Sequence, residues 1–329
     1  MLVDRHGRKV DYLRLAIIDR CNLRCVYCMP RQGLNWQPST ELMTFEEMHR
    51  ICSLLVRMGI EKIRITGGEP FVRKGLMAFL TKLVTIKGLK NVSITTNGVR
   101  TAPYVSQLKD LGIRSVNLSL DTLDRNRFFA ITRRDELPAV LQTLDQLLKY
   151  KMDVKLNTVV MEGKNCNDII PLVQLTKEHP ISVRFIEEMP FNGGTHTNPH
   201  LHLNYKQILE KIEKAFPLIK KTEDSYASTS ANYSIDGHKG TVGIIAAYSR
   251  TFCGTCNRIR LTPKGLLRTC LYDSGVLNLK DEIRKGLTDK ELETLLAKAL
   301  EAKAINGWEA QKKELHKDTL YSSMATIGG

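Results

Sequence analysis

No apolar run of about 18 residues or more occurs in the chain, so nothing in it reads as a membrane-spanning helix. A secretory signal is missing too: the first 20 residues carry charges throughout and have no continuous apolar core. Strand-like sequence begins by Tyr12 and leaves little room for an amphipathic transit peptide, so a cytoplasmic protein is expected. There is no low-complexity tract. Acidic residues are in short supply, 35 Asp and Glu against 49 Lys and Arg, giving a formal charge of +14. Such an excess suits an anionic partner, whether RNA, a membrane surface or a polyphosphate nucleotide. Eight cysteines in a reducing compartment argue against a disulfide framework.

Six of those cysteines fall into two sets. Cys21, Cys25 and Cys28 form a C-x3-C-x2-C pattern directly after the apolar-rich stretch 12–19. They are expected on the loop leaving a first buried strand. A structural zinc site takes four ligands, and no fourth Cys or His follows before His49. A cubane cluster held by three thiolates would keep one iron open to an exogenous ligand. Three free thiols, or a zinc site completed from a distance, remain as alternatives. The second set is Cys253-Gly-Thr-Cys256 with Cys270, again three thiols. A zinc site completed by His238 or His316 competes here with a second open-iron cluster. Cys52 lies on the apolar face of a predicted helix and reads as core; Cys166 falls in a loop and is given no role.

Around these sets, strand and helix patterns alternate. Strands are expected at 12–19, 62–66, 92–96, 115–120, 154–160 and 183–187. Helices are expected at 44–58, opened by the capping box Thr44…Glu47, and at 76–86, 103–111, 138–150 and 169–177. The alternation indicates βαβ units and a parallel sheet. Six units fall short of the eight in a closed barrel, which predicts an α/β partial (β/α)6 barrel; a flat doubly wound sheet is the runner-up. Residues 1–11 read as an N-terminal arm, 12–190 as the barrel and 191–329 as a C-terminal region. A linker is expected at 191–196, then a helix at 205–216, a loop at 225–232 and strands at 242–247 and 257–262.

The strands carry unexpected charge. Arg14, Arg64, Lys155 and Arg184 each interrupt apolar neighbours, where buried parallel strands should be nearly continuous in Val, Ile and Leu. Each could pair with an acid such as Asp19 or Glu187, or snorkel to a strand end. Four cations on four strands favour a shared anion inside the barrel. Arg258 and Arg260 share one face of the strand after the second cysteine pair. Two guanidinium groups beside an open iron would suit a nucleotide, phosphates to arginines and a base heteroatom to iron. Polar residues also recur at strand ends: Gly67-Gly68-Glu69-Pro70, Thr95, Asn97, Ser119 and Asp121.

The first cysteine set, with Tyr27 before its third member, resembles the signature of the radical S-adenosylmethionine (SAM) enzymes. With Arg64–Pro70, Thr95–Gly98, Ser119–Asp121, Arg184–Pro190, the second cysteine set and a final Gly328-Gly329, nearly the whole chain resembles the MoaA-type GTP 3′,8-cyclases of molybdenum cofactor biosynthesis. The resemblance implies two [4Fe-4S] clusters, one on Cys21, Cys25 and Cys28 and one on Cys253, Cys256 and Cys270. It implies a SAM site at Tyr27, Gly68, Ser119 and Met189. GTP would be held by Arg14, Arg64, Thr95, Lys155, Arg258 and Arg260, with Arg258, Arg260 and Arg184 counted as catalytic. Further implications are a flavodoxin or ferredoxin as electron donor, a downstream cyclic pyranopterin monophosphate synthase, a homodimer, and a C-terminal tail reaching into the active site. On residue chemistry alone, that tail would be disordered. No membrane or nucleic-acid partner is expected. Competing functions are a radical SAM enzyme acting on tRNA or a peptide, and a zinc-dependent nucleic-acid-binding protein.

Overall fold

The computed structural model describes residues 1–34, 36, 38–191, 203–314 and 323–328. Six parallel strands come first: β1 (Tyr12–Ala16), β2 (Lys62–Thr66), β3 (Asn91–Thr96), β4 (Ser115–Ser119), β5 (Asp153–Val160) and β6 (Ser182–Glu187). They lie side by side in sequence order. Helices α1 (Phe45–Met58), α2 (Leu76–Val84), α3 (Val105–Asp110), α4 (Arg125–Thr132), α5 (Leu137–Lys149) and α6 (Ile169–Glu178) connect them. The capping box at Thr44 is present, with the Glu47 side chain returning to the Thr44 backbone. Helix α4 was not anticipated: its sequence RNRFFAIT has little apolar periodicity, and its start depends on the Asp124 side chain accepting from Arg127 N.

The C-terminal region extends the same sheet. After α7 (Tyr205–Ala215) come β7 (Lys220–Lys221), β8 (Ala231–Ser234), β9 (Thr241–Ile245), β10 (Arg258–Leu261), β11 (Leu266–Arg268) and β12 (Leu277–Asn278). Strand β9 pairs parallel with β6, and β10 pairs parallel with β1. The parallel part therefore counts eight strands, with antiparallel strands continuing each edge. The partial barrel expected from six units gains one strand at each side. Helices α8 (Leu279–Arg284), α9 (Asp289–Glu301), α10 (Gly307–Glu314) and α11 (Met324–Ile327) complete the chain. Among the described residues, no helix is long and apolar enough to cross a membrane.

Side chains alternate along the strands as the pleat demands. Leu13 and Leu15 on β1, Ile63 and Ile65 on β2, and Val154 and Leu156 on β5 belong to the core that packs under the helices. The opposite, inward face carries the charged and polar residues. In register, Arg14 lies between Arg260 and Arg64. This is why continuous apolar runs are absent: only one face of each strand is covered by helices.

Both ends of the chain are docked. The arm at residues 1–10 packs against the rest of the fold. Val3 bridges Lys9, and the buried Arg8 pairs with the buried Asp4 at 2.7 Å. The same guanidinium donates to the carbonyls of Cys253, Ala304 and Ile305, so this segment is tied to the second cysteine loop. The tail is likewise ordered from Ser323 to Gly328. The linker residues beyond Phe191 and the position of Gly329 lie outside the described residues.

Candidate active site

Both cysteine sets line one cavity. Its wall includes Cys21, Cys25 and Cys28 from the loop after β1, and Cys253, Cys256 and Cys270 from the segments around β10 and β11. Arg14, Arg64, Thr95, Arg184, Arg258 and Arg260 line it, as do Tyr27, Gly68, Ser119 and Met189. Lys155 does not. Its ammonium pairs with Asp153 and donates to Ser115 Oγ.

The first cysteine loop is held by its neighbours. Leu23 N donates to Cys21 Sγ at 3.4 Å, and Asn97 Nδ2 approaches the same sulfur at 3.5 Å. A Cβ on Gly68 would overlap the carbonyl oxygen of Arg20, so only glycine lets the β2 rim approach this loop. Tyr27 Oη donates to Asp121 Oδ2 at 2.9 Å, and Asp121 Oδ1 accepts from Val159 N. Burial pushes the Asp121 carboxyl up to about 6. Glu69 is fully buried and braces the β2 and β3 ends, accepting from Phe71 N, Thr96 Oγ1 and Asn97 N. Burial pushes its carboxyl up to about 7.

The two thiol sets differ in their electrostatic surroundings. Burial raises Cys21 to about 12 and Cys28 to about 11, so bare thiols here would be neutral and poor nucleophiles. Bound metal reverses that preference. At Cys256, burial is outweighed by Lys303 and Arg258, which bring the thiol down to about 6. The Lys303 ammonium is buried, lies 3.8 Å from Cys256 Sγ, and donates to the carbonyls of Arg258 and Thr269. Among the described residues, no group of three or more His, Cys, Asp or Glu could hold a single metal ion. A cubane cluster asks something different, one thiolate for each of several irons. His238 is engaged with Thr176 Oγ1, and His316 lies outside the described residues.

The inward cations are short of counter-charge. Among the described residues, none of Arg14, Arg64, Arg184, Arg258 and Arg260 forms an ion pair; nearby pairs go to Lys155 and Arg268. Glu187 offers them nothing, because its oxygens accept from Tyr205 N, Tyr248 N, Ser249 N and Ser249 Oγ. Burial, with crowding by like charges, lowers Arg14 and Arg184 to about 10. The phenol of Tyr12 sits among these cations, its ring 4.8 Å from Lys62 Nζ and 5.6 Å from the Arg64 guanidinium. Among the described residues, the donor Arg14 Nε, the hydroxyl Thr95 Oγ1 and the acceptors Asn117 Oδ1 and Asn157 Oδ1 are buried without hydrogen-bond partners. Unpaired buried polar atoms of both kinds are costly, which points to a polar occupant carrying both acceptors and donors.

The tail bridges the two cysteine sets. Ser323 Oγ donates to Cys28 O at 2.6 Å, and Met324 N donates to Phe191 O. At its far end Arg260 Nη1 donates to Gly328 O.

Around the cavity stand further residues. Tyr12 and Lys62 lie two residues before Arg14 and Arg64 on the same strand face, where the alternation could have flagged them. Glu69 and Glu187 were marked by the sequence but their hydrogen-bond donors were not, and Lys303 acts through carbonyls distant in sequence that no spacing announces. Arg250 also lines the cavity, and no pattern in the sequence marks it.

Comparison with known proteins gives the class first. Residues 15–176 match the radical SAM superfamily, and residues 181–307 match the family described as Molybdenum Cofactor Synthesis C. The fold agrees: SuiB of Streptococcus suis, solved with S-adenosylmethionine, superposes with a TM-score of 0.59 at 15% identity, over 87% of this chain and 68% of that one. A [4Fe-4S] cluster and SAM go with that class. Among curated proteins, the GTP 3′,8-cyclase of Clostridium perfringens is 37% identical over 99% of both chains. The mitochondrial GTP 3′,8-cyclase of Arabidopsis thaliana is 40% identical over 92% of this chain and 78% of its own length. The chain belongs to the GTP 3′,8-cyclase family.

Proposed function

We propose that the cavity brings SAM and GTP together between two iron–sulfur centres, the first on Cys21, Cys25 and Cys28 and the second on Cys253, Cys256 and Cys270. The chain is a radical SAM enzyme that cyclises GTP to (8S)-3′,8-cyclo-7,8-dihydroguanosine 5′-triphosphate, the first step of molybdenum cofactor biosynthesis. When bound, the first cluster would supply the electron for splitting SAM into methionine and the 5′-deoxyadenosyl radical; hydrogen would pass from ribose C3′ to that radical, C3′ would join C8, and a further electron and proton would complete the dihydro product. The protein supplies position.

Tyr27, Gly68, Ser119 and Met189 hold SAM against the first triplet. Asp121 orients the Tyr27 ring. Arg14, Arg64, Thr95, Arg184, Arg258 and Arg260 hold GTP, their guanidinium forks meeting the triphosphate. Lys155 supports that set from below through Asp153 and Ser115. The guanine faces the second triplet, where Lys303 supplies fixed positive charge. The tail, with Gly328 on Arg260, excludes water from the space between the centres. Residues 12–190 serve as the SAM half and 191–329 as the GTP half. A flavodoxin or ferredoxin delivers electrons, a cyclic pyranopterin monophosphate synthase takes the product, and the working unit is a homodimer.

The observation that carries this reading is the meeting of both thiol triplets in one cation-lined cavity. Anaerobic iron and sulfide analysis tests it. Two four-iron clusters give about eight irons per chain; about four would remove the second centre.

A further inference from the structure

Arg250 has no role in the account above, yet five observations single it out. It is only 5% exposed and lines the cavity. Two of its donors, Nε and Nη1, have no hydrogen-bond partner among the described residues. Its guanidinium is clamped between two rings, 3.5 Å from the Tyr272 centroid and 3.7 Å from that of Trp308, while Nη2 donates to Gln311 Oε1. Its backbone has φ of 56°, a left-handed conformation that a long side chain rarely adopts. Room for it is specific as well: a Cβ on Gly307 would come within 2.9 Å of Arg250 Cδ and 3.0 Å of Tyr272 Cδ2.

The backbone around it is fixed from below. Glu187 accepts from Tyr248 N and Ser249 N, which presets the turn that carries Arg250. A strained residue held by such contacts, with buried donors left empty, is arranged for a ligand. Its place says which part of the ligand. The strand cations lie on β1, β2, β6 and β10, whereas Arg250 lies off the strands, three residues before Cys253 and stacked on Tyr272, two residues after Cys270. That is the side where the proposed function seats the purine.

We infer that Arg250 reads the base, one of its free donors, Nε or Nη1, meeting an acceptor, O6 or N7, on the guanine edge. O6 and N7 are the acceptors that arginine N–H groups meet in protein contacts to guanine. The rings and Gln311 hold the guanidinium in advance, so little side-chain entropy is lost on binding. The inference rests on GTP occupying this cavity, and the test separates the two.

Equilibrium dialysis on anaerobic holoenzyme compares GTP, 7-deaza-GTP (no N7), 2-aminopurine riboside triphosphate (no O6) and guanosine. R250M is expected to weaken GTP about 10- to 100-fold, the range for a lost hydrogen bond to a charged donor. The penalty should shrink with 7-deaza-GTP or 2-aminopurine riboside triphosphate, since the wild type has then already lost the contact. R250K and R250Q carry the same comparison if R250M fails to retain its iron. G307A, which crowds Arg250 without removing it, should weaken GTP in the same direction. Equal GTP affinity in wild type and the Arg250 variants overturns the inference. So does a penalty that persists with both base analogues and vanishes with guanosine, because that is a phosphate contact. Wild-type holoenzyme that binds no GTP overturns the proposed function itself.

Discussion

Asp121 shows how much one buried carboxyl governs here. It holds Tyr27 beside the first cysteine set, and burial lifts it to about 6, against a free value near 3.9. A raised folded value means that the native state holds this proton more tightly than the unfolded chain. The stabilisation is complete below about pH 4 and is lost as pH rises through about 6. Glu69, raised to about 7, acts in the same direction. The melting temperature of the holoenzyme is therefore expected to fall between about pH 4 and 7. Asp121→Asn should flatten the lower part of that fall, because an amide can accept from Val159 N and donate to Tyr27 Oη. Thermal melts across this range check it; an unchanged slope in the variant would exclude Asp121 as the source. The sequence marked Asp121 as a polar residue at a strand end, but not its partner, which lies 94 positions away.

At the scale of elements, the tail is the sharpest case. Chain ends are usually loose, and composition offered only two glycines to suggest otherwise. The structure gives α11 anchors at Cys28 O, Phe191 O and Arg260. Deleting Gly328 and Gly329 is expected to cut cyclisation at least about tenfold, the effect of losing one charge-assisted hydrogen bond. Iron content should stay unchanged. Full activity in the truncated enzyme would sink the idea. The strands were far more legible. Apolar runs broken by single cations are an amphipathic strand pattern, and three of the four cations, Arg14, Arg64 and Arg184, line the cavity while Lys155 does not. The N-terminal segment was not legible as a docked element, because Arg8 finds its acceptors at Cys253, Ala304 and Ile305, far along the chain.

The whole molecule concentrates positive charge in its own interior. Arg14, Arg64, Arg184, Arg258 and Arg260 face one cavity without ion-pair partners among the described residues. An anion that fills it relieves repulsion, so binding and folding are linked. A ligand at a hundred times its dissociation constant stabilises by about 2.7 kcal/mol. Inorganic triphosphate and GTP should both raise the melting temperature, and guanosine much less. Scanning calorimetry at matched ionic strength decides. Equal effects of guanosine and GTP would show that the strand cations do not hold the phosphates. The partial barrel was readable from βα alternation over the first six units. The strands at 242–247 and 257–262 were expected too, but not their places beside β6 and β1, since their partners lie far away in the chain.

That last pairing has a bearing on biosynthesis. Strand β1 is made early, but its neighbour β10 follows only at Arg258–Leu261. Throughout most of translation, one side of β1 shows open backbone donors and acceptors, the kind of edge that invites pairing with another chain. Prematurely terminated chains would keep that edge, together with a first cysteine set facing no second one.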